Sequence, residues 1–287
     1  MEDLADTHQT ARKVPALTRF VCGIDGSPEG DQAARVAATL AGQDGYLLLL
    51  YAVAPGLASL VPTVFPGEPR SPEDLSPASA TQVLQRARDA VSEDTRVVTK
   101  TCTGPPSAML EAEAVRTAAH AIAVGSHGNG RAAGVLLGSV ATRLIHRAPC
   151  SVLVGRMPVA PETDRPFPRS VAVGIDGSPW SLAAVQAARV LSTRLGVPLR
   201  ALHVADGSGS GAPLPEDFDD GVEEIHQHVA PANGLCSRVT ESDLLVVGSR
   251  GVHGIRALGS VSEAVAHRSP ASVLIVRSSE PGARGAR

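Results

Sequence analysis

Aromatic side chains are nearly missing from this chain: they make up 2% of 287 residues, as one Trp, two Tyr and four Phe. Ala, Val and Leu must therefore supply most of the core. Lysine is as scarce, with Lys13 and Lys100 set among basic residues that are otherwise all Arg. Mutational bias in a GC-rich genome explains that usage without a functional role. An excess of either charge is also lacking. The net charge is -3 and the isoelectric point near 6.3, so there is no electrostatic footprint for nucleic acid or an anionic membrane. The cysteines, Cys22, Cys102, Cys150 and Cys236, form no C-x-x-C and no dense cluster. That argues against a disulfide framework and fits a reducing cytosol. No apolar run approaches the roughly 18 residues that span a bilayer. Residues 1–17, with Glu2, Asp3 and Asp6, have no apolar core of a secretory signal. The expectation is a soluble cytoplasmic protein with no nucleic-acid or membrane partner.

What is present is an internal repeat. Gly23-Ile24-Asp25-Gly26-Ser27-Pro28 returns as Gly174-Ile175-Asp176-Gly177-Ser178-Pro179, at an offset of 151. Ala123–Gly128 is echoed by Val246–Gly251 at an offset of 123, and Ala148–Leu153 by Ser269–Leu274 at 121. A Pro-rich linker at 156–168 separates two expected domains, 18–155 and 169–278, followed by a frayed tail.

In the first domain, strands are expected at Phe20–Ile24, Tyr46–Val53, Arg96–Thr103, Ala121–Val124 and Ser151–Val154. Helices are expected at Glu29–Gly42, Ala78–Val91, Pro106–Ala119 and Val140–Arg147, with a long surface loop from Pro55 to Pro77. Apolar strands without strict alternation, each followed by a helix, predict a parallel sheet covered on both faces. The second domain looks truncated. Tyr51 to Gly125 is 74 residues, but the matching span His203–Gly248 is 45. The loss is about the length of the second helix and its loop. A Gly/Pro/Asp-rich stretch, Asp206–Gly221, and a short strand near Ile225–Val229 remain.

Two features carry chemistry. The first is Gly125-Ser126-His127-Gly128, nine residues, then Gly138-Ser139, running from an apolar strand into a helix. Glycines there permit positive φ and close backbone approach, and the following helix adds free amides and its dipole, an arrangement that suits a phosphate chain. Equally, the glycines make tight turns and Ser139 is an N-cap. The second is Asp25 at the end of the first strand, repeated as Asp176. It is either an acceptor for ribose hydroxyls or an adenine amino group, or a cap in an Asp-Gly-Ser turn. In an open parallel sheet, ligands sit where the strand order reverses, which would bring Asp25 and the glycine loop to one crevice.

These residues resemble the universal stress protein family: an apolar strand ending in Asp-Gly-Ser, the G-x-x-G-x9-G-[ST] loop at Gly125, Gly128, Gly138 and Ser139, and a final strand preceded by Pro. The resemblance implies an α/β fold of two tandem open parallel sheets, strand order 3-2-1-4-5, of the adenine nucleotide alpha hydrolase-like type. It implies Asp25 on ribose or adenine, Ala52 and Val124 lining the adenine, and Gly125, Gly128, Gly138 and Ser139 on the phosphates, with Gly23 and Val140 beside them. The second-site counterparts are Asp176, Val204, Val247, Gly248, Gly251, Gly259 and Ser260. The ligand is expected to be ATP, alone or with Mg2+, though the sequence does not choose between ATP, AMP and cyclic AMP. Members commonly dimerise, often through the final strand, and tandem forms pair their domains within one chain.

The second half departs from that pattern. Seven residues, not nine, separate Gly251 from Gly259, which would move the helix start by up to about 6–7 Å if the lost residues were extended. Site two is therefore expected to be the poorer. His226 and His228 would share one strand face, with His203, His253, His267, Glu223 and Glu224 in the same half, but no recognisable spacing completes a zinc set. Arg250 and His127 occupy equivalent loop positions and could touch phosphates. G-x-x-x-x-G-K-[ST] and a G-x-G-x-x-G after the first strand are both absent. No catalytic residue is identified, so at most slow ATP hydrolysis is expected. The competing reading is a dimerisation or regulatory module without nucleotide, pairing through the strands at Ser151–Val154 and Ser272–Val276.

Overall fold

The computed structural model describes residues 16–53, 77–91, 95–128, 137–157, 167–205, 222–226, 230–241, 243–250 and 258–277. Most of the Pro-rich loop and linker, Asp206–Gly221, Gly251, His228, His253 and the tail lie outside them.

The first half runs β1 (Arg19–Gly23), α1 (Pro28–Ala41), β2 (Tyr46–Val53), α2 (Pro77–Asp89), β3 (Arg96–Thr103), α3 (Pro106–Arg116), β4 (Ala121–Gly125), α4 (Ser139–Arg147) and β5 (Ser151–Gly155). The second half runs β6 (Ser170–Ile175), α5 (Pro179–Leu195), β7 (Leu199–Ala205), β8 (Val222–His226), α6 (Pro231–Ser237), β9 (Asp243–Gly248), α7 (Ser260–Arg268) and β10 (Ser272–Val276). The late strand runs Val222–His226; the expected sharing of one strand face by His226 and His228 lies outside the described residues. Among the described residues, no group of three His, Cys, Asp or Glu side chains could hold a metal.

Each half has the expected order, 3-2-1-4-5, but the halves do not form two sheets. They join in one ten-stranded sheet, β3-β2-β1-β4-β5-β10-β9-β6-β7-β8. All pairings are parallel except the central one, where β5 and β10 run antiparallel with Leu153 opposite Leu274. The two strands expected to offer edges to another chain are thus spent on each other. A homodimer would need a different surface.

One face of the sheet carries α1, α2 and α5, the other α3, α4, α6 and α7. Alanine explains how a core with few rings closes. Helix α1 turns Ala33, Ala34, Ala37 and Ala38 inward, all buried, and lies so low that a Cβ on Gly155 would come within 2.7 Å of the Ala33 Cα. Close approach replaces large side chains as the source of packing density. The four cysteines are free thiols. Burial pushes Cys150 up to about 12 and Cys22 higher still, so both stay protonated at neutral pH.

Candidate functional site

The strand order reverses between β1 and β4, and again between β6 and β9. Past the C-terminal ends of each pair lies the crevice where open α/β sheets take ligands. In the first half, the chain leaves β1 through Asp25 and turns at Gly26, whose φ of +83 is costly for any other residue. The Asp25 Oδ1 accepts hydrogen bonds from the Ser27 N–H at 2.9 Å and the Ser27 hydroxyl at 2.5 Å. Ser27 in turn caps α1, its Oγ accepting from the Gly30 N–H at 3.1 Å. The cap is therefore Ser27, and Asp25 orients it.

The other carboxylate oxygen meets the glycine loop. A Cβ on Gly128 would fall 2.4 Å from Asp25 Oδ2, so any side chain at 128 would collide with the carboxylate. The loop closes through the Gly138 N–H donating to the Ser126 carbonyl at 2.7 Å. Gly138, not Ser139, is the N-cap of α4, and no side chain caps that helix. Ser139 is exposed, and the opening amides of α4 lack intrahelical partners as at any helix start. Asp25, Gly128, Gly138 and Ser139 are thereby brought to one rim.

Other expectations need correction. None of Gly125, Gly128 and Gly138 has positive φ; among described residues those glycines are 26, 42, 104, 177 and 196. Gly125 lacks a side chain for another reason. A Cβ there would come 2.7 Å from the Glu29 carbonyl carbon and 2.8 Å from the Gly30 nitrogen, so the glycine admits α1 against β4. Gly23 likewise sits beneath Leu110, at 2.9 Å, and Val124, at 3.3 Å. Val124 is buried, while Ala52 and Val140 are half-buried.

The second half repeats the turn. The Asp176 Oδ1 accepts from the Ser178 N–H at 3.0 Å, the Ser178 Oγ accepts from the Ser181 N–H at 3.1 Å, and Gly177 has φ +73. Gly248 faces the Trp180 carbonyl as Gly125 faces Glu29. The shorter loop does not displace the helix: the Gly259 N–H donates to the Ser249 carbonyl at 2.7 Å, the same closure as in the first half. The lost residues fall between these anchors. What differs is the surroundings. Val204, where the first half has Ala52, packs against Gly234 of α6, and Val247 is buried beside Gly174. Arg250 sits over the Trp180 ring at 5.7 Å, whereas His127, its counterpart, lies 3.1 Å from the Ser126 hydroxyl. Ser260 is exposed at the start of α7.

Sequence reasoning missed Arg86. From α2 its guanidinium donates to the Gly26 carbonyl at 3.0 Å and pairs with Asp31 at 3.1 Å, tying α2 to the turn that presents Asp25. Burial raises the Asp31 carboxyl above its ordinary range, against the pull of Arg86 and Arg35. Sixty residues separate Arg86 from Gly26, and no local pattern joins them. The repeat itself held a hint, since Leu182 stands where the first half has Asp31.

A parallel α/β sheet with an aspartate turn and a glycine loop at its switch point defines the class of protein. The sequence profile of the universal stress protein family matches residues 17–156 and 221–277. The chain is 32% identical to a universal stress protein of Mycobacterium tuberculosis strain H37Rv over 290 residues, covering 90% of this chain and 97% of that protein. It is 30% identical to one from Mycolicibacterium smegmatis, covering 90% and 96%. A universal stress protein structure from Archaeoglobus fulgidus superposes with a TM-score of 0.61 at 19% identity, over 92% of this chain and 97% of that one. The chain belongs to the universal stress protein family. No helix among its described residues is long and apolar enough to cross a membrane.

Proposed function

We propose that the chain is a stress-response protein that binds an adenine nucleotide, ATP foremost, at the crevice of its first unit, residues 18–155, with little or no turnover. The second unit, 169–278, keeps the turn and loop closure but is the weaker site. The observation that carries this reading is the convergence of Asp25 Oδ2 on Gly128 beside the uncapped start of α4. A carboxylate suits ribose hydroxyls, and glycine backbone followed by free helix amides suits phosphate. Mg2+ would arrive on the phosphates, since this cation keeps most of its waters and seldom needs a protein cage. Without a lysine in the loop, the crevice has no P-loop counterpart to drive phosphoryl transfer.

Calorimetry with ATP on the wild type and on Gly138→Val tests the proposal. Gly138 has β-region angles, φ -69 and ψ 157, and a Cβ there makes ordinary contacts of 3.5–3.8 Å, the longest to the Gly128 nitrogen. The valine should fold normally yet cover that amide. Affinity is expected to fall at least about tenfold, the loss of about 1.4 kcal/mol. Binding unchanged in the variant would dismiss the site.

A further inference from the structure

The seam between the halves is built from one contact made twice. The Arg156 N–H, just past β5, donates to the Ser272 Oγ at 3.1 Å, and the Arg277 N–H, just past β10, donates to the Ser151 Oγ at 3.1 Å. Each arginine then reaches a helix of the opposite half. The Arg277 guanidinium donates to the Ile145 carbonyl in the last turn of α4 at 2.7 Å. That of Arg156 donates to the Ala266 and His267 carbonyls in the last turn of α7, at 2.5 and 3.0 Å. In both, Nε is buried without a hydrogen-bond partner. These guanidiniums leave water for a helix C-terminus, where the dipole and unpaired carbonyls favour a cation. His146 of α4 and Glu263 of α7 add a third contact across the seam, at 3.2 Å.

The far ends of these helices are the phosphate rims, Gly138–Ser139 and Gly259–Ser260. Each helix has nine residues, so it is a rod about 13 Å long whose hold at one end sets the aim of the other. A helix so short depends on tertiary contacts for its stability.

We infer that each half aims its partner's phosphate helix: Arg277 of the second half is a positioning residue for the nucleotide rim of the first, and Arg156 is the reciprocal residue for the second. The consequence for ATP rests on the nucleotide reading above; the positioning itself does not. On this account the second half is retained because the first half's site is incomplete without it. Each loop, by contrast, is tied to a strand of its own half. Val276, beside Arg277, accepts from the Ser249 N–H of loop two at 3.0 Å, and Gly155, beside Arg156, accepts from the Ser126 N–H of loop one at 2.9 Å.

The test compares Arg277→Met with Arg156→Met in the full chain, since the two remove matching seam contacts. Hydrogen exchange without ligand is the first arm. Arg277→Met should speed exchange of the α4 amides about fivefold or more and leave α7 protected, with Arg156→Met doing the converse. Calorimetry with ATP is the second arm. Arg277→Met should weaken binding at the first site about fivefold, within the range for residues that touch no ligand, and Arg156→Met should leave it unchanged. Arg277→Lys, which keeps the charge without the planar fork, should recover part of the loss. Equal loosening of both helices by both variants would overturn the inference, as would wild-type protection of α4 in Arg277→Met. A wild type that fails to bind ATP would instead remove the nucleotide reading, and the exchange arm would still decide the positioning.

Discussion

Gly125→Val is expected to lower the unfolding free energy by about 3 kcal/mol, the upper part of the range for overpacking a close-packed core. The effect should appear as a lower urea midpoint with an unchanged slope. The contacts at 125 explain the size. A Cβ there meets the Glu29 carbonyl carbon at 2.7 Å and the Gly30 nitrogen at 2.8 Å. These are backbone atoms of a helix whose inner face is buried alanine, so no side chain can swing aside. The helix must lift from β4, and it carries Ser27, the partner of Asp25, with it. Gly155 faces Ala33 of the same helix at the same 2.7 Å, so Gly155→Val should cost a similar amount. Gly138→Val is the control: a Cβ there meets nothing closer than 3.5 Å, so its midpoint should fall only by the loss of a preferred helix cap, about 1 kcal/mol. A Gly125→Val protein as stable as Gly138→Val would refute the packing account.

Two glycines of one motif thus have opposite jobs, and the sequence could not separate them. Spacing reveals that Gly125 follows a strand and Gly138 precedes a helix. It does not reveal that α1 crosses directly over the first. The expected displacement of the second glycine loop failed for a related reason. Counting residues between Gly251 and Gly259 assumes that the loop is taut, whereas its ends are pinned by the Ser249–Gly259 hydrogen bond whatever the length between. What was legible was local or repeated: β2 and β3 fall at Tyr46–Val53 and Arg96–Thr103 as expected. Each half also keeps the expected strand order. What was not legible joins residues far apart, as Arg86 joins Gly26 and Arg277 joins Ile145.

Arg86→Met should destabilise the protein by about 2 kcal/mol at neutral pH, the cost of leaving a buried charged acceptor without its partner. Asp31 is only 8% exposed, and its Oδ1 already lacks a hydrogen-bond partner, so Arg86 is the direct contact that makes the ionised form tolerable. The pH dependence follows from the direction of the Asp31 shift. Its folded-state pKa is raised, so the favourable protonated form contributes fully below the unfolded value near 3.9 and is lost as pH rises through the folded value. Removing Arg86 raises the folded value further. The penalty relative to wild type should therefore be largest at pH 7 and shrink as the carboxyl protonates in acid. The repeat supplies the rescue: α5 carries Leu182 where α1 carries Asp31, an apolar solution to the same position. The double variant Asp31→Leu, Arg86→Met should accordingly regain most of the stability at pH 7, with a coupling of at least about 1 kcal/mol. It should not regain the Arg86 hydrogen bond to the Gly26 carbonyl, which steadies the turn behind Asp25. Restored stability with weakened ATP binding would separate the two jobs of Arg86, one for the fold and one for the site. A double variant as unstable as Arg86→Met alone would show that the buried carboxylate is not the source of the cost.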